Sequence, residues 1–276
     1  MAVGMVAPML DPIGIPQLGL GTWELAGTQC SRLVEAALEM GYRHIDTAEM
    51  YDNEADVGLG LRAGAVARSD IFLTTKVWLT HLHAAKFVTS AEASLKKLRT
   101  DYVDLLLIHW PAAETPLEET IEAMLELRER GLARHLGVSN FPTRLWQRAQ
   151  SLSGGLMACN QVEFHVMLDQ SKLLRYARAN RLVVTAYSPL AKGKFANHHV
   201  LKKIGAKYGK SASQVALRWL VEHAEVAAVP RSSSPERCRE NLEIFNFSLS
   251  PADKKAIAGL PKDQRQVSPH WAPVWD

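Results

Sequence analysis

The sequence has few of the features that mark disulfide-rich, membrane or nucleic-acid-binding proteins. Its three cysteines, Cys30, Cys159 and Cys238, are an odd, scattered set, which argues against a disulfide framework and indicates a reducing compartment. No apolar stretch approaches the roughly 20 residues that cross a bilayer. No five consecutive residues carry the same charge, and the net charge of +3 is too small to indicate a nucleic-acid partner.

A secretion signal is also missing. Residues 1–10 are apolar but include no lysine or arginine, so they lack the charged start of a signal peptide. We therefore expect a cytoplasmic protein without a membrane partner.

Sequence motifs for a Rossmann site, a phosphate loop or a metal site are incomplete. No Gly-x-Gly-x-x-Gly turn follows the first predicted strand. Residues 205–211 resemble a phosphate loop, but the segment is one residue short and follows a helix, and Ser211 is better explained as a helix N-cap. The histidines within 81–83 and 198–199 lie in predicted loops without a carboxylate cluster, so we predict no metal.

The sequence does contain a regular alternation of short apolar strands and amphipathic helices. Eight such alternations over about 230 residues, with no break in composition, predict an α/β fold, a single (β/α)8 TIM barrel in one domain over residues 1–276. A helical connector after the seventh strand and a helix over 251–258 are two additions to the barrel. Residues 268–276, with two tryptophans and two prolines, predict an ordered tail. The predicted strands lie within 18–23, 42–51, 71–75, 103–108, 135–139, 157–162, 182–187 and 226–229.

Helix ends are indicated by capping residues. Gly41 is placed to end the helix over 30–40. Thr115-Pro116-Leu117-Glu118 predicts a capping box with proline at the first helical position. Ser211 and Ser234 are predicted N-caps of two later helices.

Four chemically active side chains follow three successive predicted strands. Asp46 and Tyr51 come after the second strand, Lys76 ends the third, and His109 ends the fourth. Because barrel enzymes hold their chemistry at the C-terminal ends of the strands, we expect the four side chains to meet there.

These four residue types together suit the reduction of a carbonyl group. A phenol is a poor acid with a pKa of about 10, but a neighbouring ammonium stabilises the phenolate and lowers that pKa. A carboxylate holds the ammonium in place, and a neutral imidazole donates a hydrogen bond to the carbonyl oxygen. Such a site lacks only a hydride, which a nicotinamide cofactor supplies.

Residues 231–237, Arg-Ser-Ser-Ser-Pro-Glu-Arg, form a second candidate site. Arginine at a helix N-terminus is unfavourable against the helix dipole unless a phosphate binds there. The alternative interpretation is a solvated loop that caps the helix.

Two other functions are considered. The first is a metal-dependent barrel hydrolase, with His44 and Asp46 on one strand face and with Glu163, His165 and His109 completing the site. It leaves Lys76, Tyr51 and the arginine-serine loop without a role. The second is a non-catalytic, cofactor-binding regulatory subunit, against which the intact set of four residues argues.

Several ordered motifs resemble the aldo-keto reductase family. The resemblance runs from about Gly19 to Leu249, and its details at 51–55 and 267–276 are most similar to bacterial 2,5-diketo-D-gluconate reductases of the B type. The motifs are Gly41–Ala48 with Tyr51, Leu105–Pro111, Gly137–Phe141, Asn160–Glu163, Ala186–Leu190 and Val229–Ser232.

The resemblance implies an NADPH-dependent reductase that converts aldehydes, ketones or keto-sugar acids to alcohols. It makes Tyr51 the general acid, Lys76 the residue that lowers the pKa of Tyr51 and pairs with Asp46, and His109 the residue that orients the carbonyl. It suggests diketo-gluconate or small aldehydes such as methylglyoxal as substrates. Because the fold is often monomeric, we expect a monomer.

The resemblance also implies cofactor and substrate contacts. Arg231 stands where family members often have lysine, and it keeps the charge that would bind the 2′-phosphate of NADPH. The implied cofactor-binding residues are Gly21, Thr22, Trp23, Asp46, Ser139, Asn140, Gln161, Tyr187, Ser188, Leu190, Arg231, Ser232, Ser233, Arg237, Glu240 and Asn241, and the implied substrate-binding residues are Trp23, Tyr51, Trp78, His109 and Trp110.

Overall fold

The computed structural model describes residues 7–276 and contains ten strands and ten α-helices in that range. The N-terminal residues 1–6, part of the segment used above to argue against a signal peptide, lie outside it. The strands are β1 (Met9–Leu10), β2 (Ile15–Pro16), β3 (Leu20–Gly21), β4 (His44–Asp46), β5 (Phe72–Val77), β6 (Val103–Ile108), β7 (Ala133–Ser139), β8 (Met157–Glu163), β9 (Val183–Tyr187) and β10 (Val226–Ala228). The helices are α1 (Gly27–Met40), α2 (Glu54–Ala63), α3 (Ala84–Leu98), α4 (Leu117–Glu129), α5 (Thr143–Leu152), α6 (Ser171–Asn180), α7 (His199–Tyr208), α8 (Ala212–Val221), α9 (Pro235–Leu242) and α10 (Pro251–Ala258).

Strands β3 to β10 pair in chain order, all parallel, and form the barrel wall. Backbone hydrogen bonds close the ring between its ends: Gly19 N donates to Ala228 O at 2.9 Å, and Ala228 N donates to Gln17 O at 2.8 Å. A side chain on Gly21 would place its Cβ 2.8 Å from Val229 O, so glycine permits the close approach of β3 to the chain after β10. The predicted (β/α)8 barrel is therefore confirmed.

The two predicted additions to the barrel are also present. Helix α7 follows β9, and helix α10 follows α9. Leu201 and Ile204 of α7 pack with Val215 of α8 and Ile257 of α10 in a second apolar cluster beside the main core. No helix within residues 7–276 is long and apolar enough to cross a bilayer.

The strands β1 and β2 form an antiparallel hairpin that the sequence pattern did not predict. Leu10, Ile13 and Ile15 pack in one buried cluster with Phe72 and Val183, the first residues of β5 and β9. The hairpin therefore covers the N-terminal end of the barrel. Two-residue strands are too short to show an alternating pattern, which explains why it was missed.

The capping predictions had different outcomes. Ser211 caps α8 in a full capping box, and Ser234 caps α9. Gly41 ends α1 with a left-handed φ of 112°. The capping box at Thr115 was wrong, because Pro116, with an extended ψ of 125°, is itself the N-cap of α4 and no side chain caps that helix.

The predicted C-terminal tail is ordered against the barrel and begins earlier than expected, so residues 264–276 are called the tail below. The Glu163 carboxylate accepts hydrogen bonds from the backbone N–H groups of Gln266 and Val267 at 2.7 and 2.8 Å. Further along, the Asp276 carboxylate accepts a hydrogen bond of 2.7 Å from Thr143 N at the start of α5.

Candidate active site

The C-terminal ends of the barrel strands, called the mouth below, bring the four candidate catalytic side chains together. Asp46 is the last residue of β4, Lys76 lies one residue before the end of β5, and His109 follows β6 directly. Tyr51 ends a single 3-10 turn, Glu49–Tyr51, that follows β4. The local sequence thus places one polar group at each of three neighbouring strand ends.

Two residues hold the turn that carries Tyr51, and the sequence reasoning gave neither a role in the site. The buried Asn53 amide donates to Thr22 O at 2.7 Å and Leu25 O at 2.9 Å. The Glu49 carboxylate accepts a 2.9 Å hydrogen bond from Trp78 N. A signal was present for both, since a polar residue stands on each side of Tyr51 in a loop at a strand end.

Lys76 is at the centre of the hydrogen bonds that connect the site. Its Nζ lies 2.6 Å from Asp46 Oδ1, 2.8 Å from Thr47 O and 3.3 Å from the Tyr51 hydroxyl. The Lys76 side chain has no exposed surface and that of Asp46 has 3%. Gln161 Nε2 donates to the other Asp46 oxygen at 2.6 Å, so both oxygens of this buried carboxylate are bonded.

The ionisation of Tyr51 and Lys76 follows from this burial. Burial raises the pKa of Tyr51 above its ordinary value, although the neighbouring Lys76 acts to lower it. The predicted lowering effect of Lys76 is therefore present, but burial outweighs it. Burial also disfavours the Lys76 ammonium, but Asp46 and Tyr51 outweigh it and leave the pKa of Lys76 raised. At neutral pH the phenol keeps its proton and the ammonium keeps its charge.

His109 is neutral in the same environment. Burial, with the Lys76 charge as a second cause, holds the pKa of His109 well below its ordinary value. Its ring centroid lies 5.7 Å from that of Tyr51 and 5.1 Å from that of Trp78. A neutral imidazole carries one N–H, which can donate a hydrogen bond to a carbonyl oxygen.

The residues assigned to the nicotinamide form a network next to these groups. Asn140, at a left-handed φ of 62°, accepts a 2.7 Å hydrogen bond from the Tyr187 hydroxyl. Its amide N–H donates to His109 O at 2.9 Å, and Ser139 Oγ donates to Gln161 O at 2.8 Å. The half-buried Tyr187 ring is thus held at the mouth and linked to the backbone of His109.

The segment 231–237 provides positive charge suited to a phosphate group. Arg231 and Arg237 are exposed, and neither forms a salt bridge within residues 7–276. Arg231 Nε donates a 3.2 Å hydrogen bond to Trp23 O, so the guanidinium lies beside the loop that follows β3. These two arginines, without a salt-bridge partner among the described residues, could hold a phosphate group at the N-terminus of α9.

The other residues assigned to the cofactor differ in burial and in their hydrogen bonds. Ser232 is buried and bonds Ser234 within its own loop, whereas Ser233 is half-buried. Thr22 is buried and donates to Asp46 O at 3.1 Å. Asn241 is buried beside the Tyr42 phenol. Gly21 lies in the barrel wall, Ser188 has a left-handed φ of 45°, and Leu190 and Glu240 are half-buried.

Aromatic rings line the mouth. The ring centroid of the predicted Trp23 lies 4.8 Å from that of Tyr51. The ring centroid of the predicted Trp78 lies 5.1 Å from that of His109. Trp110 is nearly enclosed because Trp275 of the tail packs on it at 6.0 Å. Trp271 of the tail packs on Trp78 at 6.3 Å. The sequence reasoning predicted an ordered tail but did not assign its tryptophans to the site.

A metal site is not supported. No group of three His, Cys, Asp or Glu residues within residues 7–276 could hold a metal ion. His44 and Asp46 do share a strand face, but both Asp46 oxygens are already bonded. His165 pairs with Glu163 at 2.9 Å, and Glu163 holds the tail. The part of the chain that the structure describes therefore offers no set of metal ligands for the hydrolase alternative.

Comparisons with known proteins agree with this geometry. The profile of the Aldo/keto reductase family matches residues 17–261. Methylglyoxal reductase DkgB of Escherichia coli O157:H7 is 41% identical over 96% of this chain and 100% of its own length. Glyoxal reductase of Bacillus subtilis (strain 168) is 38% identical over 92% of this chain and 91% of its own length.

Solved structures show the same likeness. A crystal structure provisionally named 2,5-diketo-D-gluconic acid reductase B is 42% identical, has a TM-score of 0.95 and is matched over 99% of this chain and 98% of its own. The aldose reductase of Schistosoma japonicum is 32% identical, with a TM-score of 0.89 over 94% and 95% of the two chains.

Proposed function

The chain belongs to the aldo/keto reductase family and reduces carbonyl compounds, and from that premise we propose that it takes its hydride from NADPH, with Tyr51 as the proton donor. The observation that carries the proposal is the contact of the enclosed Lys76 ammonium with both the Tyr51 hydroxyl and the Asp46 carboxylate. NADPH supplies the hydride when bound.

Each catalytic side chain has a separate task in this proposal. The protonated Tyr51 gives its proton to the carbonyl oxygen, and Lys76 stabilises the phenolate that remains. Asp46, fixed by Gln161, keeps the Lys76 charge compensated in a site closed to water. The neutral His109 donates a hydrogen bond that orients the carbonyl oxygen.

The cofactor assignment rests on the residues around the mouth. We assign the carboxamide contact to Ser139, Asn140 and Gln161, the stacking surface to Tyr187, and the pyrophosphate cover to residues 188–190. The unpaired guanidinium groups of the 231–237 segment would hold the 2′-phosphate, and Glu240 and Asn241 would lie near the adenine.

The substrate class follows from the relatives and from the mouth. The names of the relatives specify methylglyoxal, glyoxal and 2,5-diketo-D-gluconic acid as their substrates. The aromatic lining suits small carbonyl compounds, so we propose small aldehydes and keto-sugar acids for this enzyme. We also propose that it works as a monomer in the cytoplasm and binds no nucleic acid.

The proton-donor assignment is tested with Tyr51→Phe. The variant keeps the ring but loses the acidic hydroxyl, so kcat for methylglyoxal should fall by about 100-fold or more, the contribution of a general acid. The NADPH dissociation constant, measured by quenching of protein fluorescence, should change by less than about twofold. Tyr176→Phe, on the outer helix α6, is the matched control. Unchanged turnover in Tyr51→Phe would refute the assignment.

The cofactor preference is tested with Arg231→Ala and Arg237→Ala. Each lost charge-assisted contact costs about 1.5–3 kcal/mol, so the NADPH dissociation constant should rise by about 10- to 150-fold in each variant. The dissociation constant for NADH, which lacks the 2′-phosphate, should stay within about twofold. Arg239→Ala, later in α9, is the control. Equal losses for both cofactors would remove the 2′-phosphate assignment.

A further inference from the structure

Arg265, in the tail, carries a positive charge on a half-buried side chain. Its guanidinium Cζ stacks 3.9 Å above the ring centroid of Trp275. Its Nη1 is shielded from solvent and has no hydrogen-bond partner within residues 7–276. No carboxylate among the described residues forms a salt bridge with it.

Glu163 is the acid whose charge acts on Arg265, but it forms no salt bridge with this arginine. Both oxygens of Glu163 are already bonded, Oε1 by His165 Nε2 and Gln266 N and Oε2 by Val267 N. Burial lowers the pKa of Arg265, against the opposing effects of the Glu163 and Tyr187 charges. A guanidinium presents five N–H donors, and leaving buried donors unbonded costs free energy. The guanidinium therefore stacks on an aromatic ring and has no anionic partner among residues 7–276.

The position of Arg265 connects it to the catalytic residues. Trp275, on which it stacks, packs on Trp110, the residue after His109. The Arg265 charge also acts to lower the pKa of Tyr187, whose hydroxyl bonds Asn140, and Asn140 bonds the backbone of His109. One chain of aromatic contacts and one electrostatic interaction thus connect Arg265 with the mouth.

We propose that Arg265 recognises a carboxylate on the substrate, so that the enzyme favours aldehydes and ketones that carry an acid group over neutral ones. The planar guanidinium can bind the two oxygens of a carboxylate together, and stacking on Trp275 holds the fork in one orientation. The inference rests on the reductase function proposed above. A phosphate of the cofactor would offer similar chemistry, so the experiment separates the two anions.

The experiment compares 4-carboxybenzaldehyde with methyl 4-formylbenzoate, which have the same ring and aldehyde but differ in charge. Arg265→Met keeps the length and the stacking surface of the side chain and removes the charge. We expect its KM for the acid to rise by about tenfold or more, with kcat within about threefold and the KM for the ester within about threefold. Arg265→Lys should recover most of the affinity for the acid. A thermal midpoint within a few degrees of the wild type shows that both variants fold.

Two further measurements decide between explanations. Arg144→Met removes an exposed charge from the start of α5, at the same end of the barrel. It should leave unchanged the acid-to-ester ratio, which is kcat/KM for the acid divided by kcat/KM for the ester. If Arg144→Met lowers that ratio as much as Arg265→Met does, the preference for the acid comes from the general positive potential around the mouth, and the inference is wrong. A rise in the NADPH dissociation constant of Arg265→Met would assign the anion to the cofactor and also overturn it.

Failure of this inference differs from failure of the function on which it rests. If the wild type reduces both compounds and Arg265→Met slows both equally, only the carboxylate assignment fails. If the wild type oxidises no NADPH with either compound, the proposed function fails first.

Discussion

Lys76 shows how one buried side chain organises its neighbours. An enclosed ammonium is costly unless its N–H groups are bonded and its charge is paired. Asp46, Thr47 O and Tyr51 supply three acceptors, and Gln161 completes the Asp46 carboxylate. Loss of any one of these partners would leave a buried charge or donor uncompensated, so the Tyr51 phenol is held by the same contacts that stabilise the buried ammonium.

Residue types could be predicted more reliably than their ionisation. An acid, a phenol, an amine and an imidazole at successive strand ends indicated carbonyl reduction, and the structure does bring them together. The effect of Lys76 on the pKa of Tyr51 could be predicted, but the larger opposing effect of burial could not, because it depends on how much water the packed site excludes. A sequence contains the charges but not the degree of burial.

His44 should make the stability of the folded protein depend on pH. Burial lowers the pKa of its enclosed ring to about 4, whereas an unfolded histidine titrates near pH 6.5. Below about pH 6.5 the unfolded chain therefore binds a proton that the folded chain does not bind. The free energy of unfolding should fall by up to about 3 kcal/mol from this residue as the pH drops from 6.5 to 4.

Urea unfolding at pH 7.5, 5.5 and 4.5 measures this contribution. His44→Asn removes the titrating group, so its loss of stability between pH 7.5 and pH 4.5 should be smaller than that of the wild type. His270→Asn, in the exposed part of the tail, should keep the wild-type dependence. The same dependence in His44→Asn would contradict the assignment.

Among the helices and strands, agreement with the sequence was closest where the signal was local. The strand Val103–Ile108 has its predicted bounds, and the ends of α1, α8 and α9 carry their predicted caps. The start of α4 differs, because Pro116 takes an extended conformation and becomes the N-cap itself. A proline in that position offers no side-chain acceptor, so the motif can be present without the hydrogen bonds.

This difference predicts unequal effects of two similar substitutions. Ser211→Ala removes a cap that accepts the Gln214 N–H at 3.2 Å, and it should lower the free energy of unfolding by about 1 kcal/mol. Thr115→Ala removes a hydroxyl that caps no helix and should change that free energy by less than about 0.5 kcal/mol. Urea titrations of the two variants at pH 7 provide the comparison. Equal losses would mean that Thr115 caps α4 in solution.

In the assembled protein, the tail and the barrel complete the mouth together. The tail tryptophans pack on Trp78 and Trp110, and Glu163 and Thr143 of the barrel bond the tail. The shape of the substrate opening therefore depends on contacts made after the eight strands have closed.

Asp276 should act as a latch for this tail. Its carboxylate accepts hydrogen bonds from Thr143 N at 2.7 Å and Lys172 Nζ at 2.9 Å. Asp276→Ala removes these contacts and a further hydrogen bond from the Thr143 hydroxyl. Amides of residues 264–276 should therefore exchange about 10-fold faster in hydrogen-exchange mass spectrometry, as expected for a loss of about 1.4 kcal/mol. The thermal midpoint should change by less than about 2 °C, because the core contacts remain.

Asp263→Ala is the matched control for the latch. Among residues 7–276 its carboxylate bonds only the neighbouring Gln264 side chain, so exchange in the tail should stay close to that of the wild type. Unchanged protection in Asp276→Ala would show that Asp276 does not hold the tail.

The barrel, its two added helices and the set of four candidate residues could be read from the chain. Each depends on a pattern that spans only a few neighbouring residues: an apolar strand, a capping residue or a polar group at a strand end. Parallel strands then place all their C-terminal ends at one mouth, whatever the details of packing.

Other features required the packed coordinates. Gln161 bonds Asp46 from 115 positions away, and Asp276 bonds Thr143 from 133 positions away. The hairpin over the N-terminal end, the tail tryptophans at the mouth and the unpaired Arg265 also arise from such distant contacts. No local pattern encodes which remote groups meet or how completely they exclude water, and these two quantities set the pKa of Tyr51 and the pairing of Arg265.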